Sequence, residues 1–393
     1  MVRIVQVELT EPAPALPEGG PARLLVRDGG RPVAFLPVTV PAAGLAPDEV
    51  TALIRQAAPD RAATLARASA TPGRVPTATV VVTTCVASAS LARTLRGVRA
   101  QTVAPVQTVV VDNRPATSGV AEFLAAEGFT EVVLVREPQP GLSRARNAGL
   151  AAATGEIVAY TDDDVVLDSR WVESLTSAFA QDERIACVTG LILPLELATP
   201  AQLIFEEFGG FAKGFQVRDF DLHEHRGPGA LYPYAAGVFG TGANSSFRVA
   251  DLRALGGFDE TLGMGTPALG GEDLDIHLSV VRSGRMLRYE PAALVWHRHH
   301  PDERSLRRQI HSYGVGMAAM VAKRWATSPQ ERRELAGRLV AGLRHLLGPG
   351  SPKNAGRTRS YPVSLTVLEL AGVARGPFAY LHSRVRGPRK AAA

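Results

Sequence analysis

Cysteine is nearly absent from this chain: Cys85 and Cys187 are the only two in 393 residues. That excludes a disulfide framework, and because each lies in an apolar strand-like run, both are expected to be buried structural thiols in a reducing compartment. Lysine is almost as scarce, four among the 43 basic residues, so the net charge of +5 is carried by arginine. No basic block is interleaved with aromatics, which excludes a nucleic-acid surface of the usual kind. Basic stretches at 304–309 (RSLRRQ) and 383–390 (SRVRGPRK) leave an anionic partner such as a membrane face open. Long apolar runs are missing too: the best window, 185–205, is broken by Pro194, Glu196 and Pro200. The opening MVRIVQVELTEP has no apolar core of signal-peptide length. The expected setting is therefore cytoplasmic, free or peripheral at a membrane.

What the chain does have is 46% hydrophobic and 21% charged residues, ordinary for a globular protein. Its length suits one large domain with appendages. Residues 1–76 read as a small β-rich unit. Within it, 22–38 suggest two strands around an Asp-Gly-Gly turn, followed by a helix from about Pro47 and a linker at 71–77. From Thr79 strands and helices alternate: strands at 79–86, 106–113, 131–137 and 156–161, helices at 90–101, 118–128 and 143–155, the last with Ser143 as N-cap and Gly155 as stop. This βαβ order implies an α/β fold with a doubly wound, mainly parallel sheet, in which ligands bind at the carboxyl ends of the strands. Beyond 302 the chain reads as basic and helical, at 303–326, 329–347 and 364–384.

Asp162, Asp163 and Asp164 follow one of these strands directly, in YTDDDVV, and Asp112 follows another. Adjacent carboxylates repel, and a divalent cation with hard oxygen ligands is the natural device for holding them at a rim. Alternation sends Asp162 and Asp164 to similar sides and Asp163 elsewhere. Such an Asp-x-Asp can set one carboxylate on a sugar hydroxyl and the other on Mg²⁺ or Mn²⁺ bridging a diphosphate. Farther on, GGEDLDIHL places Glu272 and Asp273 in the first turn of a helix, and VWHRHH puts His297 and His299 on one face of an extended segment.

In order and spacing, TVVVTTCV, VVVDN, GLSRARNAGLAAATGEIVAYTDDDV, GTGANSSFR, GGFDE, GGEDLDIHLSVVRSG and LVWHRHH resemble the family 2 glycosyltransferases, across roughly residues 77–300. The resemblance implies a GT-A fold and a metal-dependent, inverting transfer of one sugar from a nucleotide-diphosphate donor, a UDP-sugar first among them, to an acceptor hydroxyl. It also implies roles for individual residues. Asp112 would read the base, Thr84 would sit beside it, and Asp162 would take the ribose side. Arg144 would touch the nucleotide. Asp164 and His297 would hold Mg²⁺ or Mn²⁺, and Asp273 would be the catalytic base. Asn147 is read as structural, Asp275 as helix surface, and His299 and His300 have no role. The family's Thr-x-x-Arg pattern is missing, since TTCVASAS offers no cation before Arg93. No Gln-x-x-Arg-Trp motif is present, which favours single-sugar transfer over processive synthesis.

Acceptor contacts are expected from 205–245, and the glycine-rich loop 263–271 is expected to order over the donor. The acceptor would be a lipid-linked glycan, a polysaccharide precursor or a small metabolite. A nucleotidyltransferase is disfavoured, because TTCVASAS has neither the glycine nor the cation to hold a triphosphate. The alternative from another class is a non-catalytic carbohydrate- or membrane-binding protein on the same fold.

Overall fold

The computed structural model describes residues 1–57, 73–348, 351 and 361–385. Strand β4 (Ala78–Thr84) is a β-branched run buried along its whole length, as expected of a strand covered on both faces. Alternation along it builds two cores. Val81 faces the side that also buries Ala145, Leu150, Ile276 and Val280. Val80 and Val82 face the side holding Leu91, Leu95, Val120, Leu124, Trp171 and Phe179.

Around β4 lie β5 (Gln107–Asp112), β6 (Val133–Arg136), β7 (Ile157–Asp162), β9 (Ile185–Pro194) and β12 (Met286–His297). Short β8 (Val165–Leu167), β10 (Arg218–Phe220) and β11 (Asn244–Arg248) complete a nine-stranded sheet of order β10-β12-β9-β11-β7-β4-β5-β6, with β8 pairing to β12. The β4, β5, β6 and β7 pairings and the β9–β12 pairing are parallel; β8, β10 and β11 run antiparallel to their neighbours. Register opposes Thr84 to Asp112 and Thr83 to Asp162, so the strand-end residues named from sequence share one rim.

The N-terminal unit holds one strand more than expected. Its β1 (Arg3–Glu8) pairs in parallel with β2 (Gly20–Asp28), which forms the hairpin with β3 (Arg31–Val40). Helix α1 (Pro47–Ala57) buries Val50 and Ile54 on this small sheet. Arg27 and Arg31 tie the unit to the main domain through Asp168 (2.6 Å) and Glu290 (2.7 Å). The expected linker falls partly on residues 71 and 72, outside the described residues; 73–77 carry no regular structure.

Helices α2 (Ala89–Arg99), α3 (Val120–Ala126), α4 (Leu142–Ala152), α5 (Trp171–Gln181), α6 (Pro200–Phe208), α7 (Val249–Ala254) and α8 (Glu272–Arg282) surround the sheet. Ser143 is not the N-cap of α4. Gly141 occupies that position, and the Ser143 hydroxyl donates instead to the Leu262 carbonyl (2.9 Å). The helix also ends earlier than Gly155, at Ala152. Beyond the sheet, α9 (Glu303–Thr327) and α12 (Val363–Val385) lie side by side with glycines interlocked: a Cβ on Gly314 would meet the Glu369 carbonyl at 2.3 Å. The single helix expected at 329–347 is two, α10 (Pro329–Gly337) and α11 (Leu339–Leu347), broken at Arg338. No helix among the described residues is long and apolar enough to cross a membrane.

Candidate active site

The turn between β7 and β8 answers why three acids stand together. Asp162 closes β7, and β8 returns antiparallel to β12 so that Val165 opposes His297. This brings single ligand atoms of Asp162, Asp164 and His297 within 4.8 Å of one another, with His297 Nε2 3.7 Å from Asp164 Oδ1. Two carboxylates and an imidazole are a donor set fit for Mn²⁺ or Mg²⁺. Burial raises the Asp162 carboxyl to about 7; Arg146 opposes that shift, and Asp164 and Asp163 add to it. Burial also lowers the His297 imidazole, which favours the neutral form that a metal requires. Asp163 turns away, as alternation predicted: its carboxylate takes the Thr84 hydroxyl.

Behind this cluster runs a buried ion pair that the sequence reading did not identify. Arg146 is almost wholly enclosed, 2.9 Å from Glu272 Oε1 and 3.8 Å from Asp162 Oδ1. The guanidinium lies over the Phe258 ring at 5.4 Å, and a Cβ on Gly242 would strike it at 2.7 Å. Arg146 therefore links the Asp-x-Asp turn to the first turn of α8, where Asp273 stands next to Glu272. The Gly242 N–H donates to Asp273 Oδ2 (2.9 Å) and the Leu274 N–H to Oδ1 (2.8 Å), which fixes a half-buried carboxylate in orientation. The only sequence signal for Arg146 was its place in SRARNAG, one helical face away from Arg144.

The other candidates have partners of their own. Asp112 lies on the rim, but its oxygens accept from the Arg114 N–H (3.0 Å) and the Ser118 hydroxyl of its own turn. Arg144 pairs with Glu260 (3.0 Å) and donates to Gln139 (2.7 Å). Asn147 is structural: it exchanges hydrogen bonds with the Phe258 carbonyl (2.9 Å) and N–H (2.8 Å). His299 bonds Glu206 (2.8 Å) and stays outside the acidic cluster. Two expectations are overturned. Asp275 is buried rather than on the helix surface, because α9 packs there and brings Lys323 (2.6 Å) and Arg324 (2.7 Å) onto it. Cys85 is exposed, because β4 ends at Thr84; only Cys187 is buried.

The loop 263–271 closes on itself through the Gly263 N–H and the Gly270 carbonyl (3.0 Å), and the Leu142 N–H bonds the Met264 carbonyl (2.9 Å). It thus joins the start of α4 to the start of α8. Leu269 there holds a left-handed φ of 58°, a conformation rare for a leucine.

A mainly parallel sheet wound on both faces, with acids at its carboxyl rim and an acidic helix start beside them, fits the GT-A fold that the sequence resemblance implies. Residues 79–235 match the model of glycosyl transferase family 2. A pre-mycofactocin glycosyltransferase of Mycobacterium tuberculosis is 30% identical over 260 residues, 66% of this chain and 50% of that protein. Succinoglycan biosynthesis protein ExoM of Rhizobium meliloti is 28% identical over 261 residues, 65% of this chain and 74% of the relative. The chain thus spans half the length of the mycobacterial relative. Among solved structures, a mannosyltransferase of Pyrobaculum calidifontis in complex with GDP-Man and Mn²⁺ aligns with a TM-score of 0.49 at 18% identity, over 78% of this chain and 89% of that one.

Proposed function

We propose that this chain is a metal-dependent, inverting glycosyltransferase that moves one sugar from a nucleotide-diphosphate donor, with UDP-sugars the first choice, to an acceptor hydroxyl. The observation that carries the reading is the gathering of Asp162, Asp164 and His297 at the strand-end rim, joined through Arg146 to the helix start bearing Asp273. Asp164 and His297, with Asp162 beside them, would hold Mg²⁺ or Mn²⁺. That cation, when bound, offsets charge on the departing diphosphate. Asp162, with Asp112 and Thr84 on the rim and Arg144 at the start of α4, would meet the donor's nucleoside side.

Asp273 accepts the acceptor's hydroxyl proton while that oxygen bonds the anomeric carbon. The bond from this carbon to the diphosphate oxygen breaks on the opposite face, and configuration inverts. The backbone donors from Gly242 and Leu274 hold the carboxylate aimed. Such a positioned base typically contributes 10²–10⁴-fold. The loop 263–271 closes over bound donor, since it connects both helix starts.

The relatives' names span pre-mycofactocin, a glucosyl-dolichyl phosphate and succinoglycan. They favour neither a soluble nor a lipid-borne acceptor for this chain. Titrating UDP calorimetrically with and without Mn²⁺, then following donor turnover in the parent, Asp273→Asn and Asp164→Ala, tests the reading. Expected are metal-dependent UDP binding, lost in Asp164→Ala, and turnover lost in both variants. Parental turnover in either variant removes that residue from its role. Metal-dependent UDP binding with no turnover on any acceptor would favour the non-catalytic carbohydrate binder.

A further inference from the structure

Helix α9 lies outside the matched residues 79–235, yet it meets the site at both ends. Gly316 abuts the residues that open α8: a Cβ there would sit 2.8 Å from Gly270 C and Gly271 N, and a Cβ on Gly270 would lie 4.0 Å from the Ser312 carbonyl. Tyr313, next in sequence to Ser312, is therefore beside the helix start that carries Asp273. Toward the metal corner the same ring packs on Phe208 (6.3 Å, near-parallel) and Phe205 (6.4 Å). Phe205 meets Phe211 at 5.0 Å, and Phe211 lies 5.2 Å from the His297 ring. A chain of aromatic contacts thus runs from His297 to Tyr313, on the helix that abuts the start of α8.

In contrast to the core aromatics, Tyr313 keeps 37% of its surface accessible. Its hydroxyl is tied to the side-chain amide of Gln309, which donates to it at 2.8 Å. Desolvation by the surrounding protein raises the phenol pKa, and the Asp273 and Asp162 carboxylates raise it further, which sets the ring in the field of both. An open aromatic face beside a general base, with an amide fixed at its edge, suits the apolar face of a pyranose whose hydroxyls reach the amide and the base.

Resting on the glycosyl-transfer reading, we infer that Tyr313 and Gln309 form the acceptor subsite and that the acceptor presents a sugar ring, stacked on Tyr313 with its attacked hydroxyl toward Asp273. The C-terminal helix is then part of the substrate site rather than only an accessory cover.

The test is saturation-transfer NMR on the full chain with UDP and Mn²⁺ present. The probes are 4-nitrophenyl β-D-glucoside, methyl α-D-mannoside and methyl β-D-galactoside, and UDP affinity is measured in parallel. At least one glycoside should bind the parent through one ring face. Tyr313→Ala should weaken that probe about tenfold, a change of the size expected for loss of a stacked ring. Tyr313→Phe, which keeps the ring, should stay within about twofold of the parent. Gln309→Ala should weaken the probe about threefold, as for one lost hydrogen bond. UDP affinity in Mn²⁺ should not change in any of them. Parental glycoside affinity in Tyr313→Ala overturns the inference, as does a parallel loss of UDP affinity, which would mark Tyr313 as structural. If the parent binds UDP with Mn²⁺ but none of the three glycosides, the inference fails and the donor reading stands. If UDP binding itself is absent, the donor reading fails.

Discussion

Arg146 is the residue on which the site's geometry turns, because it is enclosed between the Asp-x-Asp turn and the helix that bears Asp273. Burying an ion pair adds little net stability, but breaking one leaves a charge without solvent or partner. Arg146→Ala should therefore cost about 3–5 kcal/mol in urea unfolding. Replacing both partners, Arg146→Met with Glu272→Gln, should restore much of that stability without restoring turnover; equal losses in the single and double variants would show that the pair is not coupled. His277, one turn after Asp273, gives a pH test. It is fully enclosed with no partner on either nitrogen, it stacks on Phe247, and burial lowers its pKa to about 4. Unfolded, a histidine titrates near 6.5, so between those values the unfolded chain binds a proton that the folded chain refuses. Stability from this residue is complete above about pH 6.5 and is lost as pH falls toward about 4, on the order of 2–3 kcal/mol in all. His277→Phe should flatten that acid limb in urea melts at pH 4.5 and 7; an unchanged limb would assign the acid sensitivity elsewhere.

Among the elements, the glycine contact of α9 with the start of α8 sets the C-terminal helices against the helix that bears the proposed base. Gly316→Ala would press a methyl into the Gly270–Gly271 backbone, which has no flexible end to yield. The expected cost is about 1–3 kcal/mol, as for other overpacked contacts, with turnover falling while metal-dependent UDP binding is kept. Loss of UDP binding to the same extent would mean that the whole rim, not α8 alone, had moved. The elements also show what a sequence discloses. Strands such as β4, β5 and β7 were legible because each centres on a compact run of buried, mostly apolar residues, and the acids at or just after their ends announced the rim. The three-residue β8 was invisible, although it alone brings Asp164 to His297, because pairing over such a length leaves no periodicity. The inward turn of Asp275 and the break at Arg338 depend on which helix packs where, and helical spacing alone does not state a partner. The same reason hid Tyr313: its spacing fits a helix, and only the packing of α9 shows that its ring meets Phe208 and Phe205.

For the molecule as a whole, the question is how tightly residues 1–57 belong to the sheet that carries the site. The unit has a core of its own, with Leu24, Val26, Val40, Val50 and Ile54 among it. Yet Leu25 joins the main core, with Ile4 and Phe35 packed against it. The polar part of the seam is unequal. Arg27 and Asp168 are both nearly enclosed, whereas Arg31 is more open and covers a Glu290 that is only 4% exposed. Glu290 also takes the Ala292 N–H (3.0 Å) and stands on β12, the strand that ends in His297. Losing Arg31 therefore strands a carboxylate inside the strand that supplies a proposed metal ligand. Arg31→Ala should lower stability by about 2–4 kcal/mol, as for a buried charge left unpaired, and Glu290→Gln in the same chain should recover part of it because the amide needs no counter-charge. The apolar contacts of Leu25, Ile4 and Phe35 predict that the parent melts in a single calorimetric transition, both units together. In Arg27→Ala with Arg31→Ala the seam loses both ion pairs and keeps those contacts with the Arg170–Gly29 and Val2–Leu197 hydrogen bonds (2.9 Å each), and the trace should divide, the smaller unit melting first. A parent that already melts in two steps would make the N-terminal unit an independent passenger, and no change at residues 27 or 31 would then reach the metal corner through β12.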